Sequence, residues 1–219
     1  LGRRMNQTFA LAADLVFDLI RRHNIDCDAV RNGNFFLAHD GRSQSLIEKY
    51  RVQHEKWDAP LQWMQGEQLN NTLGSRRYKA GVLDKRSGNL QPLSFARGLA
   101  RAAMTAGAKV HSHSRVTELN SANDGWRAVT QDGISVDAEQ VVLATDSYSD
   151  AIYPNLTDCL LPITAQQVAT APLGENVGRT ILDGGHATSD RMLFTHYFRK
   201  DVAGRLLMVV AGTRTPAPK

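Results

Sequence analysis

The chain has 219 residues, with 26 Lys and Arg against 22 Asp and Glu and a formal net charge of +4. The basic residues are scattered singly and in pairs, without the basic, aromatic-rich stripe of a nucleic-acid-binding protein, so no nucleic-acid partner is expected. No apolar run reaches the roughly 18 residues of a transmembrane helix. The two cysteines, Cys27 and Cys159, lie far apart, so we expect reduced thiols in a cytoplasmic protein.

The first third of the sequence predicts a helix, a strand and a second helix. Apolar residues recur at helical spacing over 7–23, and again from about Ser43 to Trp57. Between these helices, Asn34 to His39 is apolar and aromatic, which favours a strand. Pro60 ends the second helical pattern, and only a short apolar patch at Trp63 and Met64 follows it.

The best-defined unit is a helix from Pro92 to Gly107, which follows a candidate strand. Tyr78 to Asp84 predicts the strand. Pro92 favours the first residue of a helix because its φ angle is already fixed, and Gly107 supplies a left-handed end. We expect a further strand over Ala108 to His113, as in an α/β layer.

Short alternating runs then predict an antiparallel meander. They are separated by the turn sequences NDG and QDG, and they cover Arg115 to Leu119, Trp126 to Gln131 and Ile134 to Val136. The next segment, Gln140 to Ser149, has a short apolar run at Val141 to Leu143 and then small, hydroxylated residues. It predicts a buried parallel strand that ends in a turn, where ligands of open α/β sheets bind.

The last quarter predicts strands without helices between them. The candidate strands are Pro162 to Thr170, Arg179 to Leu182, Met192 to Phe198 and Arg205 to Val210. Such a run favours an antiparallel sheet. We also consider Phe35 to Leu37 a candidate member of this sheet, which would make the domains discontinuous in sequence.

Several of these segments together resemble one known family. LATDSYS at 143–149 resembles the strand-end turn that touches FAD in the amino-acid oxidase and glycine oxidase flavoproteins. The strand, turn, helix and strand over 78–120 occur in the same order as in that family. The sequence DRMLFTHYFRKDVAGRLLMVVAG at 190–212 is similar to the family's substrate-domain hairpin, closest in style to its gamma-glutamylputrescine oxidoreductase branch.

The resemblance implies a mixed α/β fold. It would combine a partial FAD-binding dinucleotide fold, carrying the β-meander, with an antiparallel-sheet substrate domain. On this basis we predict that 1–33 and 74–150 belong to the FAD-binding domain and that 34–73 and 151–219 belong to the substrate domain.

The resemblance also implies residues that contact FAD. The backbone of Val116 would lie against the adenine, and Ala144 and Thr145 would approach the ribose or the pyrophosphate. Asp146 stands where the family more commonly has glycine; Asp tolerates the left-handed conformation better than most residues, so the turn is expected to persist. Its carboxylate would have to point away from a pyrophosphate.

Tyr197 and Arg199 are the candidate substrate-binding residues. They alternate on one face of a candidate strand, which places a phenol and a guanidinium side by side. A guanidinium binds a substrate carboxylate through two hydrogen bonds, although a surface arginine on a hairpin shows the same pattern. His111 and His113 also share a strand face, but no third ligand is evident, so no metal site is predicted.

The family's GxGxxG sequence, which brings the pyrophosphate to helix-terminal amides, is absent. We therefore expect an internal fragment of a longer protein, without the N-terminal GxGxxG and the C-terminal segment that contacts the flavin. The resemblance implies an FAD-dependent oxidoreductase that oxidises the C–N bond of a small amino acid or amine by hydride transfer, leaving an imine that hydrolyses; no catalytic base is assigned.

Two other functions remain as alternatives. One is a degenerate or truncated homologue that acts as a non-catalytic binding or scaffolding module. The other, an NAD-linked dehydrogenase, lacks any nicotinamide-binding signal. The expected partner is a small molecule, and a homo-oligomer is left open.

Overall fold

A computed structural model describes residues 2–122, 124–149, 152–153, 155–159, 163–191 and 195–214. The chain divides into two compact units, Leu1–Ala106 with Ala165–Gly212 and Gly107–Thr164 with Thr213–Lys219. None of the described helices is long and apolar enough to cross a membrane. The predicted mixed α/β fold is confirmed.

The first unit contains the helices and most of the strands. Its helices are α1 (Gly2–Ala10), α2 (Ala12–Arg22), α3 (Gly41–Glu55), α4 (Gly66–Leu73), α5 (Pro92–Thr105) and α6 (Glu175–Gly178). Its sheet is built from β1 (Asn34–Ala38), β2 (Leu61–Gln65), β3 (Ala80–Asp84), β7 (Ile163–Pro172), β8 (Ala187–Asp190), β9 (His196–Lys200) and β10 (Arg205–Arg214).

The seven strands form one sheet in the order β2-β3-β1-β8-β9-β10-β7. The strand β1 runs parallel to β8 and antiparallel to β3, so the sheet is mixed rather than purely antiparallel. The early strand at Phe35 to Leu37 therefore does join the late strands, as the sequence suggested. This pairing makes the first unit discontinuous in sequence.

Apolar side chains cover both faces of this sheet. On one face, Phe35 and Leu37 pack with residues of α4 and with Leu182. On the other face, Ala38 and Val82 pack under Ile47 of α3. The inner strand β3 is buried at all five positions, because it has a strand on each side and a packed layer on each face.

Local signals fix the ends of the two longest helices. The side chain of Asp40 accepts a hydrogen bond from the Ser43 amide at 2.8 Å and caps α3. Pro92 occupies the first turn of α5 as predicted, and Gln91 accepts from the Ser94 amide at 2.6 Å. Gly107, just after this helix, has a φ of 95°, which glycine adopts without strain.

The second unit contains the predicted meander. Its strands are β4 (Val116–Ala122), β5 (Gly125–Thr130) and β6 (Ser135–Ala138), paired antiparallel in that order. Two short 3-10 turns follow, at Asp146–Tyr148 and Thr157–Cys159.

Several predicted elements differ from the structure. Ala108 to His113 forms no strand and is exposed, with Val110 at 56%. Arg179 to Leu182 is also not a strand: it follows α6, and Leu182 takes a φ of 45° that interrupts extended backbone. The predicted strand at Met192 to Phe198 begins at His196, and 192–194 lie outside the described residues.

The sequence did not predict β2, α4 or β8. The strand β8 has the sequence ATSD, which shows no apolar alternation, yet it is enclosed between β1 and β9.

The predicted domain boundaries do not coincide with the sheet. Residues 80–84, assigned to the FAD-binding domain, form β3 of the seven-stranded sheet, and the assignment of segments to cofactor and substrate domains stays a prediction.

Candidate functional site

The second unit contains a cavity of about 360 Å³ beside the meander. Val116 of β4 lines it, together with residues of the segment that follows β6. Its walls are mainly apolar but include four hydroxyl groups. The lining residues include Ser114, Leu119, Val141, Leu143, Thr145, Tyr148 and Ser149. Two predicted cofactor-binding residues, Val116 and Thr145, therefore lie on one cavity. Ala144 and Asp146 flank Thr145 in the chain.

The segment from Gln140 to Thr145 is not the buried strand that the sequence predicts. It has no strand pairing among the described residues, and Val142 is 87% exposed. A parallel strand requires neighbours that satisfy its backbone groups, and none lies beside this run in the described part of the second unit. The prediction of a buried strand was wrong for this structure.

The turn after this run is nevertheless well ordered by its own hydrogen bonds. Asp146 has a φ of 46°, in the left-handed region. The Ser149 hydroxyl donates to the Asp146 carbonyl at 2.6 Å and lies 2.7 Å from the Thr145 hydroxyl. Because the Ser149 proton is used, Thr145 donates in this pair. The geometry fixes the Thr145 side chain at the edge of the cavity.

In the first unit, Tyr197 and Arg199 occupy one face of β9. Phe198, between them, points to the other face and stacks on Tyr78 with ring centroids 6.1 Å apart. Tyr197 is 48% exposed and Arg199 is partly buried. Within the described residues, the Arg199 guanidinium makes no hydrogen bond or ion pair. A partly buried guanidinium without a carboxylate partner can accept an anionic ligand.

A buried carboxylate fixes the start of β9. Asp190 is 1% exposed. Its oxygens accept from the His196 amide at 2.9 Å and lie 3.1 Å from His196 Nδ1. Burial, and then the charge of Asp190, raise the pKa of Tyr78 to about 12. Tyr78 therefore stays protonated at neutral pH, and these contacts position the strand that carries Tyr197.

A second buried carboxylate closes the end of β3. Asp84 accepts two hydrogen bonds from the Arg86 guanidinium, at 2.9 and 2.6 Å, and one from the Tyr50 hydroxyl at 3.1 Å. Burial by itself would raise the pKa of Asp84, but the hydrogen bonds and charge of Arg86 hold it below its ordinary value. Burial, followed by the charge of Asp84, raises the pKa of Tyr50 to about 12.

The sequence analysis did not identify Tyr148, Ser149 or Arg191 as candidate site residues. Tyr148 and Ser149 line the cavity only because the 3-10 turn folds back on the run before it. Arg191 lies with its guanidinium carbon 4.9 Å from the centre of the Phe36 ring. Nothing in the sequence indicates this contact, since it depends on the pairing of β1 with β8 across some 150 residues of chain.

Comparison with known proteins identifies the family. The family model for FAD-dependent oxidoreductases, DAO, matches residues 2–218. The chain belongs to this family. The predicted resemblance is therefore confirmed, and FAD is the family's cofactor.

Two curated relatives resemble the chain along most of its length. Probable oxidoreductase OrdL from Haemophilus influenzae is 28% identical over 199 residues, covering 89% of this chain and 46% of that protein. Gamma-glutamylputrescine oxidoreductase from Escherichia coli is 27% identical over 220 residues, covering 98% of this chain and 51% of that protein. The chain thus spans about half the length of these relatives.

Solved structures share the fold at lower identity. Glycine oxidase from Geobacillus kaustophilus superimposes with a TM-score of 0.73 at 20% identity, covering 96% of this chain and 57% of that structure. L-proline dehydrogenase from P. horikoshii gives a TM-score of 0.74 at 17% identity, covering 94% of this chain and 56% of that structure.

Proposed function

We propose that the whole protein oxidises the C–N bond of an amino acid or amine, with the resulting imine hydrolysed. FAD, when bound, accepts the hydride in such a reaction. The observation that carries the proposal is the arrangement on β9, where the guanidinium of Arg199 stands beside the phenol of Tyr197 on one sheet face, without a carboxylate partner in the described residues. The names of the relatives support an amino-compound substrate, since they include gamma-glutamylputrescine oxidoreductase and glycine oxidase.

We assign the cavity of the second unit to FAD. Its apolar walls, with the Thr145 hydroxyl at one edge, fit a flat aromatic ring system that carries polar groups at its periphery. Val116 and Leu143 would contact the ring, and Thr145 would hydrogen-bond the adjoining sugar. Ala144, with its small side chain, would let the backbone approach the ligand. Asp146 would contribute its backbone conformation rather than its charge.

Arg199 would hold the substrate carboxylate and thereby orient the carbon that loses hydride. Tyr197 would hydrogen-bond the same carboxylate from two residues away on the same face. Orientation of this kind accelerates a reaction by removing the entropy cost of alignment from the chemical step. Ser189, paired with Tyr197 across the strands and 8% exposed, lies on the same face of the sheet.

The test uses the purified whole protein with FAD, assayed with gamma-glutamylputrescine, glycine and L-proline. We expect Arg199→Met to lower kcat/KM for substrates whose carboxylate lies next to the reacting carbon by roughly thirty- to several-hundred-fold, since a lost charge-assisted pair costs about 2 to 4 kcal/mol. Amines whose reacting carbon has no carboxylate beside it, such as gamma-glutamylputrescine, should be little affected.

Arg179→Met is the matched control, because this exposed arginine pairs with Glu175 on a surface helix and should leave all rates unchanged. A protein that does not bind FAD, or that oxidises none of the amines, contradicts the proposed function. Equal losses for Arg199→Met on substrates with and without a carboxylate next to the reacting carbon would show that Arg199 is structural.

A further inference from the structure

The sheet face that carries Tyr197 and Arg199 continues onto the next strand. In the pairing of β9 with β10, Leu207 lies opposite Arg199 and Val209 lies opposite Tyr197. Directly opposed side chains share one face, with their Cβ atoms about 4.5 to 5.5 Å apart. Leu207 and Val209 are both partly buried. The guanidinium and the phenol are therefore each bordered by an aliphatic side chain.

On the other side of β9, the same face carries small side chains. Ser189 of β8 lies opposite Tyr197. Ala187, two residues before Ser189, has its side chain on the same face because alternate residues of a strand share a face. At these two positions β8 offers only a hydroxymethyl and a methyl group. The larger side chains beside Arg199 are therefore the aliphatic ones of β10.

Carboxylates that share this face are already bound by arginines. Asp84 of β3 accepts from the Arg86 guanidinium at 2.9 and 2.6 Å. Asp201, which follows β9, accepts from Nε of Arg205 at 2.8 Å. Neither carboxylate is left to pair with a cation that a ligand brings.

The uncompensated charges on this face are positive. Within the described ranges, neither Arg199 nor Arg191 forms an ion pair. The guanidinium carbon of Arg191 lies 4.9 Å from the centre of the Phe36 ring, and Phe36 lies opposite Ser189 on this same face. A second cation on a ligand would meet like charges here, which is unfavourable. The face therefore favours a ligand whose only charge near Arg199 is a carboxylate and whose remainder is apolar.

We propose that Leu207 and Val209 form the side-chain subsite for an amino acid whose carboxylate Arg199 binds. The substrate class is then an α-amino acid with an aliphatic side chain, in preference to glycine and to amino acids that carry a second cation. A carboxylate on Arg199 brings the substituent of the adjacent carbon toward the opposed Leu207, where contact removes apolar surface from water.

This inference rests on the proposed function, because it takes Arg199 as the residue that binds the substrate carboxylate. It adds Leu207 and Val209 as specificity-determining residues. The chemistry that they recognise is an apolar substituent on the carbon that loses hydride.

The test measures equilibrium binding by calorimetry to the FAD-loaded whole protein, which does not depend on turnover. The probes are acetate, isocaproate and δ-guanidinovalerate, which correspond to glycine, leucine and arginine without their α-amino groups. We expect isocaproate to bind about tenfold more tightly than acetate, since each methylene group that leaves water fully is worth about fourfold and this subsite is only partly buried. We expect δ-guanidinovalerate to bind roughly threefold more weakly than isocaproate.

A double variant locates the preference on β10. Leu207→Thr combined with Val209→Thr should reduce the preference for isocaproate over acetate to about twofold, because threonine keeps the strand propensity and replaces apolar surface with a hydroxyl. Met208→Thr is the matched control: Met208 lies between the two residues and pairs with Phe198 on the opposite face, so the preference should stay at about tenfold.

Arg199→Met should weaken binding of acetate and isocaproate by a similar factor, because both present the same carboxylate. Unchanged binding of both probes by this variant overturns the subsite, which is defined by its position beside Arg199.

Three further outcomes also overturn it. One is equal binding of acetate and isocaproate by the unmodified protein, a comparison that requires no variant to fold. The others are δ-guanidinovalerate that binds as tightly as isocaproate, and a preference for isocaproate that survives in the double variant. If the probes rank as expected but no amino acid or amine is oxidised, the proposed reaction fails and the apolar subsite stands.

Discussion

In the first compact unit, the apolar strand Ala80–Asp84 is buried at every position, whereas in the second unit the equally apolar run Val141–Leu143 is exposed. The difference lies in their neighbours. The strand β3 is paired on both sides, by β1 and β2, and each of its faces is covered. The run at 141–143 has no paired strand in the described part of its unit. An apolar strand pattern therefore indicates that a segment needs paired strands and covered faces. Whether the segment is buried depends on the neighbouring elements.

The largest expected effect is a loss of stability that occurs in the first region but not in the second. Phe35→Ala removes a fully buried ring from the seven-stranded sheet and should lower the free energy of unfolding by about 4 kcal/mol. Val142→Ala truncates a side chain that is 87% exposed and should leave the free energy of unfolding unchanged. Chemical denaturation of this chain measures both. Comparable losses for the two variants would mean that Val142 is as enclosed as Phe35.

A smaller effect is expected from the buried ion pair that ends β3. Asp84→Asn leaves Arg86 partly buried without its partner, which should cost about 3 kcal/mol. Because the folded-state pKa of Asp84 is lowered, its stabilisation is present above the ordinary value of 3.8 and is lost as the pH falls through the folded-state pKa. The gap between the original protein and the variant should therefore close in strong acid.

Asp137→Asn is the control for that experiment. Asp137 pairs with Arg127 on the exposed meander of the second unit, where solvent screens the interaction. We expect no measurable change in the free energy of unfolding at any pH. A gap for Asp84→Asn that stays constant from neutral to strongly acidic pH would contradict the assigned direction of its pKa shift.

The sequence predicted best where local chemistry determines the structure. The helix from Pro92 and the meander follow from turn residues and periodicity within a few positions, and both are found. The strand β8 was missed because ATSD carries no apolar pattern and becomes a strand only through β1, far away in sequence. The prediction of a strand at Val141 was wrong for the opposite reason. This segment has the apolar pattern of a strand, but no strand pairs with it in the described residues.

The features of the candidate sites also differ in whether the sequence alone could predict them. Tyr197 and Arg199 share a face because alternation along a strand is a local property, so this much was predictable. The stacking of Arg191 on Phe36 depends on strand register between distant segments, which one sequence does not specify. Val116 and Thr145 line one cavity, although the segment that brings Thr145 there is not a strand. Their contact with FAD stays a prediction.

The smallest expected effect concerns the hydroxyl at the edge of the cavity. Thr145→Val removes the group that donates to Ser149 and that we assign to the FAD sugar, and it should weaken FAD binding about fivefold, equivalent to one hydrogen bond of about 1 kcal/mol. Fluorescence titration of the FAD-free whole protein measures the Kd. Thr117→Val is the matched control, because this exposed threonine lies on the meander outside the cavity lining. Equal Kd values for the two variants would remove Thr145 from the cofactor site.

Hydrogen–deuterium exchange of the whole protein, with and without FAD, tests most directly whether the cavity and the adjoining apolar run form the cofactor site. Amides that gain partners or lose solvent on binding exchange more slowly. We expect FAD to slow exchange across 141–146 and to leave the buried strand at 80–84 unchanged. FAD binding that leaves exchange at 141–146 unaltered would contradict this assignment.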